Sequence, residues 1–524
     1  MSDAPPASSG RLVVFAIAAL AILYILALAL GWPQYGTQAI VGQLAHHVAD
    51  GAVDERGAGE LTNAPAVEAP PLWTVIPFVL MLGAIAILPL VPAAHHWWES
   101  NRNKLIVAGG LALVALAYYA FLHEAAIDGH WPAHHVVTPG ENALDTGFVR
   151  TILENAILQE YVPFIVLLFS LYSISGGIRI EGDLQADPLT NAAFMAVGAV
   201  LASFIGTTGA AMLLVRPLLE TNRERKYVAH TIVIFIFIVC NCGGCLLPIG
   251  DPPLFLGYLE GVPFLWTLSL WREWAFVNSM LLIAYVLLDR IVYYHRESIA
   301  DVERDIEQVG RLKISGWQVN APLLLGVVLA VALLDPSKPF LGSDWHPWMY
   351  LRELVQLGLV AISLLFGSAA VRQKNQFNFG AILEVAALFI GIFVCMQPAL
   401  QILAVRGAEL GINTPPEFFW ASGSLSSVLD NAPTYLVFFK TAQTLPHAEG
   451  ATLVAGVETS ILAAISLGSV FMGAMTYIGN GPNFMVKAIA ESSGVKMPSF
   501  FGYMLYSFAI LLPILAAMVY LFLM

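Results

Sequence analysis

An all-α polytopic membrane protein is the fold class this chain predicts, and three observations carry it. Of its 524 residues, 58% are hydrophobic and only 12% are charged, with a mean hydropathy of +0.73. That is roughly half the charge a soluble domain carries. Apolar runs of the about 20 residues needed to cross a bilayer recur along most of the length. Several runs are interrupted by Gly, Pro and polar residues at matching places in the two halves. Together these predict about 11 transmembrane helices, two re-entrant hairpins and two broken helices in inverted-topology repeats. The net charge of −13 argues against a nucleic-acid partner. Four cysteines, three of them within Cys240–Cys245, are not a secreted disulfide framework.

Residues 1–70 read as a polar tail, a first apolar run Leu12–Gly31 and an external loop over 32–70. Ala27-Leu28-Ala29 resembles a signal-peptidase site, but the run is longer than a usual signal core, so a retained helix is expected. The first repeat, 71–295, holds runs at Trp73–Leu90, Leu105–Phe121 and Gly147–Ile178, separated by a His-rich loop expected to be solvated. Its hairpin, about 184–222, is interrupted by Gly206–Ala210, and Tyr227–Leu247 ends in the breaker-rich CNCGGCLLPIGDPP before the span Trp274–Tyr294. The charged segment 296–316 is a cytoplasmic linker. The second repeat, 317–524, has runs at Pro322–Leu334, Leu351–Leu365 and Phe379–Leu400, then a hairpin at about 416–441. Thr452–Tyr477, a break at IGNGPN and Phe500–Phe522 follow.

Positive charge orients this arrangement. Arg102, Lys104, Arg179, Arg223, Arg225, Lys226, Arg296, Arg304, Arg311, Lys313, Arg372, Lys374, Lys487 and Lys496 fall on one side if 184–222 and 416–441 dip in and return. The opposite loops keep Arg56, Lys338 and Arg406. The positive-inside rule then places the N-terminus in the cytoplasm of a multi-pass inner-membrane protein.

The halves repeat. ILQE around Glu160 matches AILE around Glu384 (384 − 160 = 224), and the same shift carries Phe169 onto Phe393 and Gly206-Thr207 onto Asp430-Asn431. Ile249–Phe255 matches Ile478–Phe484 at a shift of 229, a small insertion later. Each half then crosses the membrane an odd number of times, which makes the repeat inverted. Paired broken segments in the two halves point to a transporter's binding site.

LDNAPTYLVFFKTA at Leu429–Ala442 resembles the second hairpin signature of the NhaD-like and citrate-transporter-like branch of the ion transporter superfamily. GTTGAAMLLVRPLLETN at Gly206–Asn222 is similar to its first hairpin, and the resemblance covers roughly residues 70–524. It implies a homodimeric secondary transporter with hairpin tips and unwound helices meeting at a midplane site. Dicarboxylate carriers of the superfamily carry Ser-Asn-Thr at both tips; Thr207-Thr208 and Asp430-Asn431 stand there instead, which favours a cation.

The residues themselves suit that chemistry. Sodium prefers oxygen ligands, which Thr207, Thr208, Asp430, Asn431 and Thr434 offer. Asp430 with Thr207 is the expected sodium site, with proton and cation competing for the carboxylate. Asp430 also fits a helix N-cap before APTYL. Asp251 and Asn480 sit at equivalent points of the breaks, Asp251 as a second site carboxylate or a turn former; Asn241 and Asn483 are further candidates. Glu160 and Glu384 are pathway or scaffold acids. The expected activity is sodium/proton antiport without a cofactor, partnered by sodium ions, protons and the lipid bilayer. A citrate-like carboxylate carrier would need a cationic partner such as Arg216. Arsenite efflux, or a membrane-embedded thiol or metal enzyme, would use Cys240, Cys242 and Cys245. No nucleotide-binding P-loop occurs.

Overall fold

In the computed structural model the residues described are 6–51, 68–140, 144–182, 184–297, 313–447 and 450–524. Helices dominate, and the strands among the described residues form three short two-stranded ladders. Among the described residues six helices are long and apolar enough to cross a membrane, and Gly380–Cys395 with Gln397–Leu410, bent by 42°, passes as a seventh. Four shorter apolar helices accompany them: Leu72–Ile87, Ala229–Cys245, Trp317–Leu333 and Thr459–Met475. Large side chains such as Phe15, Leu113 and Phe501 stand out of the protein surface, where hydrocarbon rather than water suits them. The chain is a multi-pass, all-α membrane protein.

It divides into two compact units, one from residues 1–170, 325–367 and 378–405, the other from 171–324, 368–377 and 406–524. Each unit therefore takes its share from both sequence repeats. In the first unit, Asn101–Phe121 packs along Gly380–Cys395. Phe164 stacks on Phe389 at 4.9 Å, and Phe393 meets both rings. The two matched acids part company here. Glu160, buried in the π-helical stretch Glu154–Tyr161, accepts from Gln397 Nε2 at 3.4 Å. Glu384 is half-exposed and pairs with the buried Lys104 at 2.6 Å.

Two expectations for this unit need correction. Residues 32–51 are not loop but the helix Trp32–Gly51. Gly31, at φ +78°, turns the chain, Pro33 sits in the first helical turn, and Thr37 donates to the carbonyls of Pro33 and Pro347. The His-rich loop is also not uniformly solvated. His123 is buried beside Tyr118, Tyr119 and Phe148, with its Nδ1 2.9 Å from the Tyr118 hydroxyl. Residues 52–67, with Arg56, and 298–312, with Arg304, Arg311 and most of the expected linker, lie outside the described residues.

The second unit holds both hairpins and both breaks. Hairpin 1 is Pro188–Ile205 and Thr207–Thr221, hinged at Gly206. Asp187 caps its start by accepting from the amides of Leu189 (2.8 Å) and Thr190 (2.7 Å), with Pro188 at the first helical position. Hairpin 2 is Pro415–Ser426 and Asn431–Gln443, opened by a capping box between Thr414 and Glu417. The first broken helix runs Ala229–Val239, a 3-10 turn Cys242–Cys245, then Pro252–Leu259. The second runs Thr459–Phe471, a 3-10 turn Met472–Met475, then Gly481–Ser492. His230–Val239 is buried without exception, as befits a helix apolar all round.

Glycine and proline explain the breaks. Pro252 and Pro482 cannot donate to a preceding turn, so each restarts a helix at its first turns. Gly250 and Gly479 sit where a Cβ would lie 2.2 and 2.5 Å from the carbonyl oxygens of Gly244 and Gly473, so only glycine lets these strands of backbone approach. The sequence offset of 229 relates both members of that contact.

Candidate functional site

Four helices begin at one place in the second unit. Their starting residues are Thr207, Pro252, Asn431 and Gly481, preceded by Gly206, Asp251, Asp430 and Asn480. Hydrogen bonds between these positions draw the four together, and Asp251 is the hub. Its Oδ1 accepts from Thr207 Oγ1 at 2.8 Å and from Asn480 Nδ2 at 3.1 Å. Its Oδ2 accepts from Asn431 Nδ2 at 2.6 Å. The carboxylate, 1% exposed, thus collects a donor from each hairpin tip and from the opposite break.

A second tier holds the amides. Asn480 Nδ2 also reaches the Cys240 carbonyl (3.0 Å) and Asn241 Oδ1 (3.3 Å). Asn241 Nδ2 donates to Asn483 Oδ1 at 2.8 Å and to the Ile236 carbonyl, while Asn483 Nδ2 donates to the carbonyls of Gly473 and Thr476. All three Asn are buried. Helix breaks leave carbonyls unpaired, and these side chains satisfy them.

Asp430 occupies a different position from Asp251. It is half-buried, and its Oδ1 accepts from the Ala432 amide at 3.2 Å, an N-cap for Asn431–Gln443. It lies within electrostatic range of Asp251. Thr434 donates to the Asp430 carbonyl at 3.0 Å. Thr208 is half-buried and makes no side-chain hydrogen bond among the described residues. So the structure joins Thr207 to Asp251, with Asp430 alongside, and brings Asn431, Asn480, Asn241 and Asn483 into the same network. Glu160 and Glu384 belong to the other unit.

One atom at the hub is left over. Asn431 Oδ1 is buried and has no hydrogen-bond partner among the described residues. Its amide is oriented by Asp251, which as a carboxylate only accepts, so Nδ2 must face it and Oδ1 must face away. A buried acceptor without a partner costs about 1–3 kcal/mol. Beside an anion with solely neutral donors, that atom is a ready oxygen ligand for a cation.

Hydroxyl tethers fasten each tip to its own break, and sequence reasoning passed them over. Ser203 Oγ donates to the Gly243 carbonyl at 2.7 Å, and Ser427 Oγ donates to the Met472 carbonyl at 3.2 Å. These are equivalent contacts, since 427 − 203 = 224 and 472 − 243 = 229. Applying the offset to every serine would have exposed the pair. Hairpin 2 adds Ser426 Oγ to the Ser469 carbonyl and Thr476 Oγ1 to the Ser427 carbonyl.

The cysteines Cys240, Cys242 and Cys245 belong to the first break. Cys240, Cys242 and Cys245 are fully buried free thiols. Among the described residues no group of three His, Cys, Asp or Glu is placed to hold a metal. Arg216 donates to Gln376 Oε1 at 3.2 Å. At 1.5 Å of helix rise per residue it stands about 14 Å along its helix from Thr207.

Comparison with curated proteins finds no match. Residues 67–523 match the model of a family described as "Putative citrate transport", a span that begins after the first helices and ends one residue before the C-terminus. The chain belongs to this transport family, within the citrate-transporter-like branch of the ion transporter superfamily.

Proposed function

We propose that the protein exchanges sodium for protons, with Asp251 as the group for which the two compete and Asp430 as the adjoining second carboxylate. One observation carries this reading: among the described residues a buried carboxylate meets Thr207, Asn431 and Asn480 but no Lys or Arg, next to the unpartnered Asn431 Oδ1. A buried charge without a counter-charge is costly. A proton relieves that cost by neutralising Asp251; a sodium ion relieves it by adding charge and taking the spare oxygens. Only one of these is needed at a time, which is the basis of antiport. The whole site lies within one compact unit. The setting we infer is the inner membrane, with a cytoplasmic N-terminus and a homodimeric assembly.

A carboxylate carrier is the second reading. The family description favours it, and so does the meeting of four helix N-termini, whose positive ends attract anions. Against it, two carboxylates already occupy that place, and Arg216 points its hydrogen bond elsewhere.

Everted vesicles with a pH-sensitive dye separate the two. Sodium added to vesicles at an acid interior should dequench the dye in the wild type and not in Asp251→Asn. Sodium-dependent dequenching that persists in Asp251→Asn overturns the mechanism. Labelled citrate uptake that needs Arg216 selects the carrier.

A further inference from the structure

Hairpin 2 carries an ion pair far from its tip. Lys440, in the last turn of Asn431–Gln443, meets Glu260 at 2.5 Å. Glu260 closes Pro252–Leu259, the second half of the first broken helix. An acid at that end opposes the helix dipole, whose carbonyl end is already negative, and Lys440 offsets that cost. The two side chains are 17% and 20% exposed, so solvent screens the pair only in part.

The pair joins the same two helices that begin at the site. Asp251 precedes one and Asn431 opens the other, 180 residues apart (431 − 251 = 180). Glu260 and Lys440 are also 180 apart (440 − 260 = 180). Along each helix the two ties are therefore nine residues apart, about 14 Å at 1.5 Å of rise per residue. Equal spacing at both ends shows that the helices run parallel and in register. They pack along their length, and between the ties Gly257 makes room for the buried Tyr435. A Cβ at Gly257 would lie 2.3 Å from the Tyr435 hydroxyl.

The other half lacks the second tie. The repeat offset of 224 carries Arg216 onto Lys440, and the offset of 229 carries Glu260 onto Ile489. Thr207–Thr221 also packs against Gly481–Ser492, yet Ile489 carries no charge, and Arg216 donates to Gln376 Oε1 instead. The ion pair thus belongs to the side whose tip supplies Asn431.

We propose that Lys440 and Glu260 are positioning residues that hold the Asn431 amide against Asp251 for cation binding. Neither touches the ion. The Asn431 Nδ2 to Asp251 Oδ2 bond is 2.6 Å long. A slide of about 1.5 Å, one residue of rise, lengthens or bends that bond. The ion pair resists such a slide from the opposite end of the same two helices. Its consequence for sodium rests on the exchange reading above; the positioning itself can be observed without transport.

The half-saturating sodium concentration in everted vesicles is the first readout. Acting through space, Lys440 would repel the ion and Glu260 would attract it, so removing each would shift that concentration in opposite directions. Acting by position, removing either raises it. Lys440→Met and Glu260→Gln should each raise it ~3-fold and the double substitution no further, with the maximal rate changed less than ~2-fold. Lys440→Glu sets two carboxylates together and should raise it ~10-fold; adding Glu260→Lys should return it to within ~2-fold of the wild type. Opposite signs for the single substitutions, or no recovery when the charges are exchanged, overturns the proposal. A fall in maximal rate at unchanged half-saturation marks a merely structural tie and overturns it as well.

Hydrogen exchange on purified full-length protein without sodium is the second readout. Amides 254–256 and 434–436 lie toward the site end of the two helices. Lys440→Glu should lower their protection ~10-fold, and Glu260→Lys should restore it. Unchanged protection overturns the positioning whether or not the wild type exchanges sodium. If the wild type moves no protons in response to sodium while these amides respond as expected, the exchange reading fails and the positioning stands. If Lys440→Glu does not fold, Lys440→Met carries the same test at ~3-fold.

Discussion

The tips of the two hairpins reach the same carboxylate by different chemistry. Hairpin 1 turns on a single residue, Gly206 at φ +78° and ψ 149°, and delivers the Thr207 hydroxyl to Asp251 while the Thr207 amide donates to the Gly250 carbonyl at 2.8 Å. Hairpin 2 takes four residues, Ser427–Asp430, and delivers an amide, Asn431, together with a second carboxylate. The breaks mirror this with Asp251 in the first and Asn480 in the second. The first half therefore contributes its acid at the break and a hydroxyl at the tip, and the second half an acid and an amide at the tip and a second amide at the break.

The largest test of this comparison removes each acid in turn. Asp251→Asn should abolish sodium-driven proton movement in everted vesicles, whereas Asp430→Asn, losing one charged contact worth about 1.5–3 kcal/mol, should slow it about 10- to 100-fold. The reverse ranking would make hairpin 2 the seat of exchange and Asp251 its support. Next come the neutral donors. Thr207→Ala and Asn431→Ala should each raise the half-saturating sodium concentration about 3- to 10-fold, with Asn431→Ala the worse because Oδ1 goes as well. Equal effects from Asn431→Asp and Asn431→Ala would argue against Oδ1 as a ligand.

Stability separates the tips more finely. Gly206→Ala places a Cβ in left-handed backbone and should cost about 1–2 kcal/mol, read as a lower Tm in detergent. Val428→Ala, on the exposed part of the longer hairpin 2 link, should barely move it. The smallest effects belong to the tethers. Ser203→Ala and Ser427→Ala should each cost about 1 kcal/mol. Ser203→Ala should be the larger, since its hydroxyl also accepts from the Leu246 amide at 3.1 Å. Inverted order would mean that hairpin 2 depends on its tether more than hairpin 1 does.

Much of this architecture was legible in the residues. Asp187, Pro188, Thr414 and Pro415 announce the hairpin starts, and Gly206, Pro252 and Pro482 announce the interruptions, because capping and ring constraints act within a few residues. The offset between the repeats was legible too. The helix Trp32–Gly51 was missed because its polar face reads as loop and its tie is remote, Thr37 on Pro347. His123 was misplaced for the same reason, its burial resting on Phe148 from a later helix.

By itself the sequence determined that the chain is a membrane protein, where its helices stop, and which polar residues stand at the interruptions. Hydropathy and backbone constraint are local, so they can be read in a window of residues. Only the tertiary structure decided which acid is central. Asp430 stands in the more conspicuous motif, yet it caps its own helix. Asp251 becomes the hub through Asn431 and Asn480, 180 and 229 residues away along the chain. Hydrogen bonds extend about 3 Å, and at that range the fold, rather than sequence spacing, sets a group's partners.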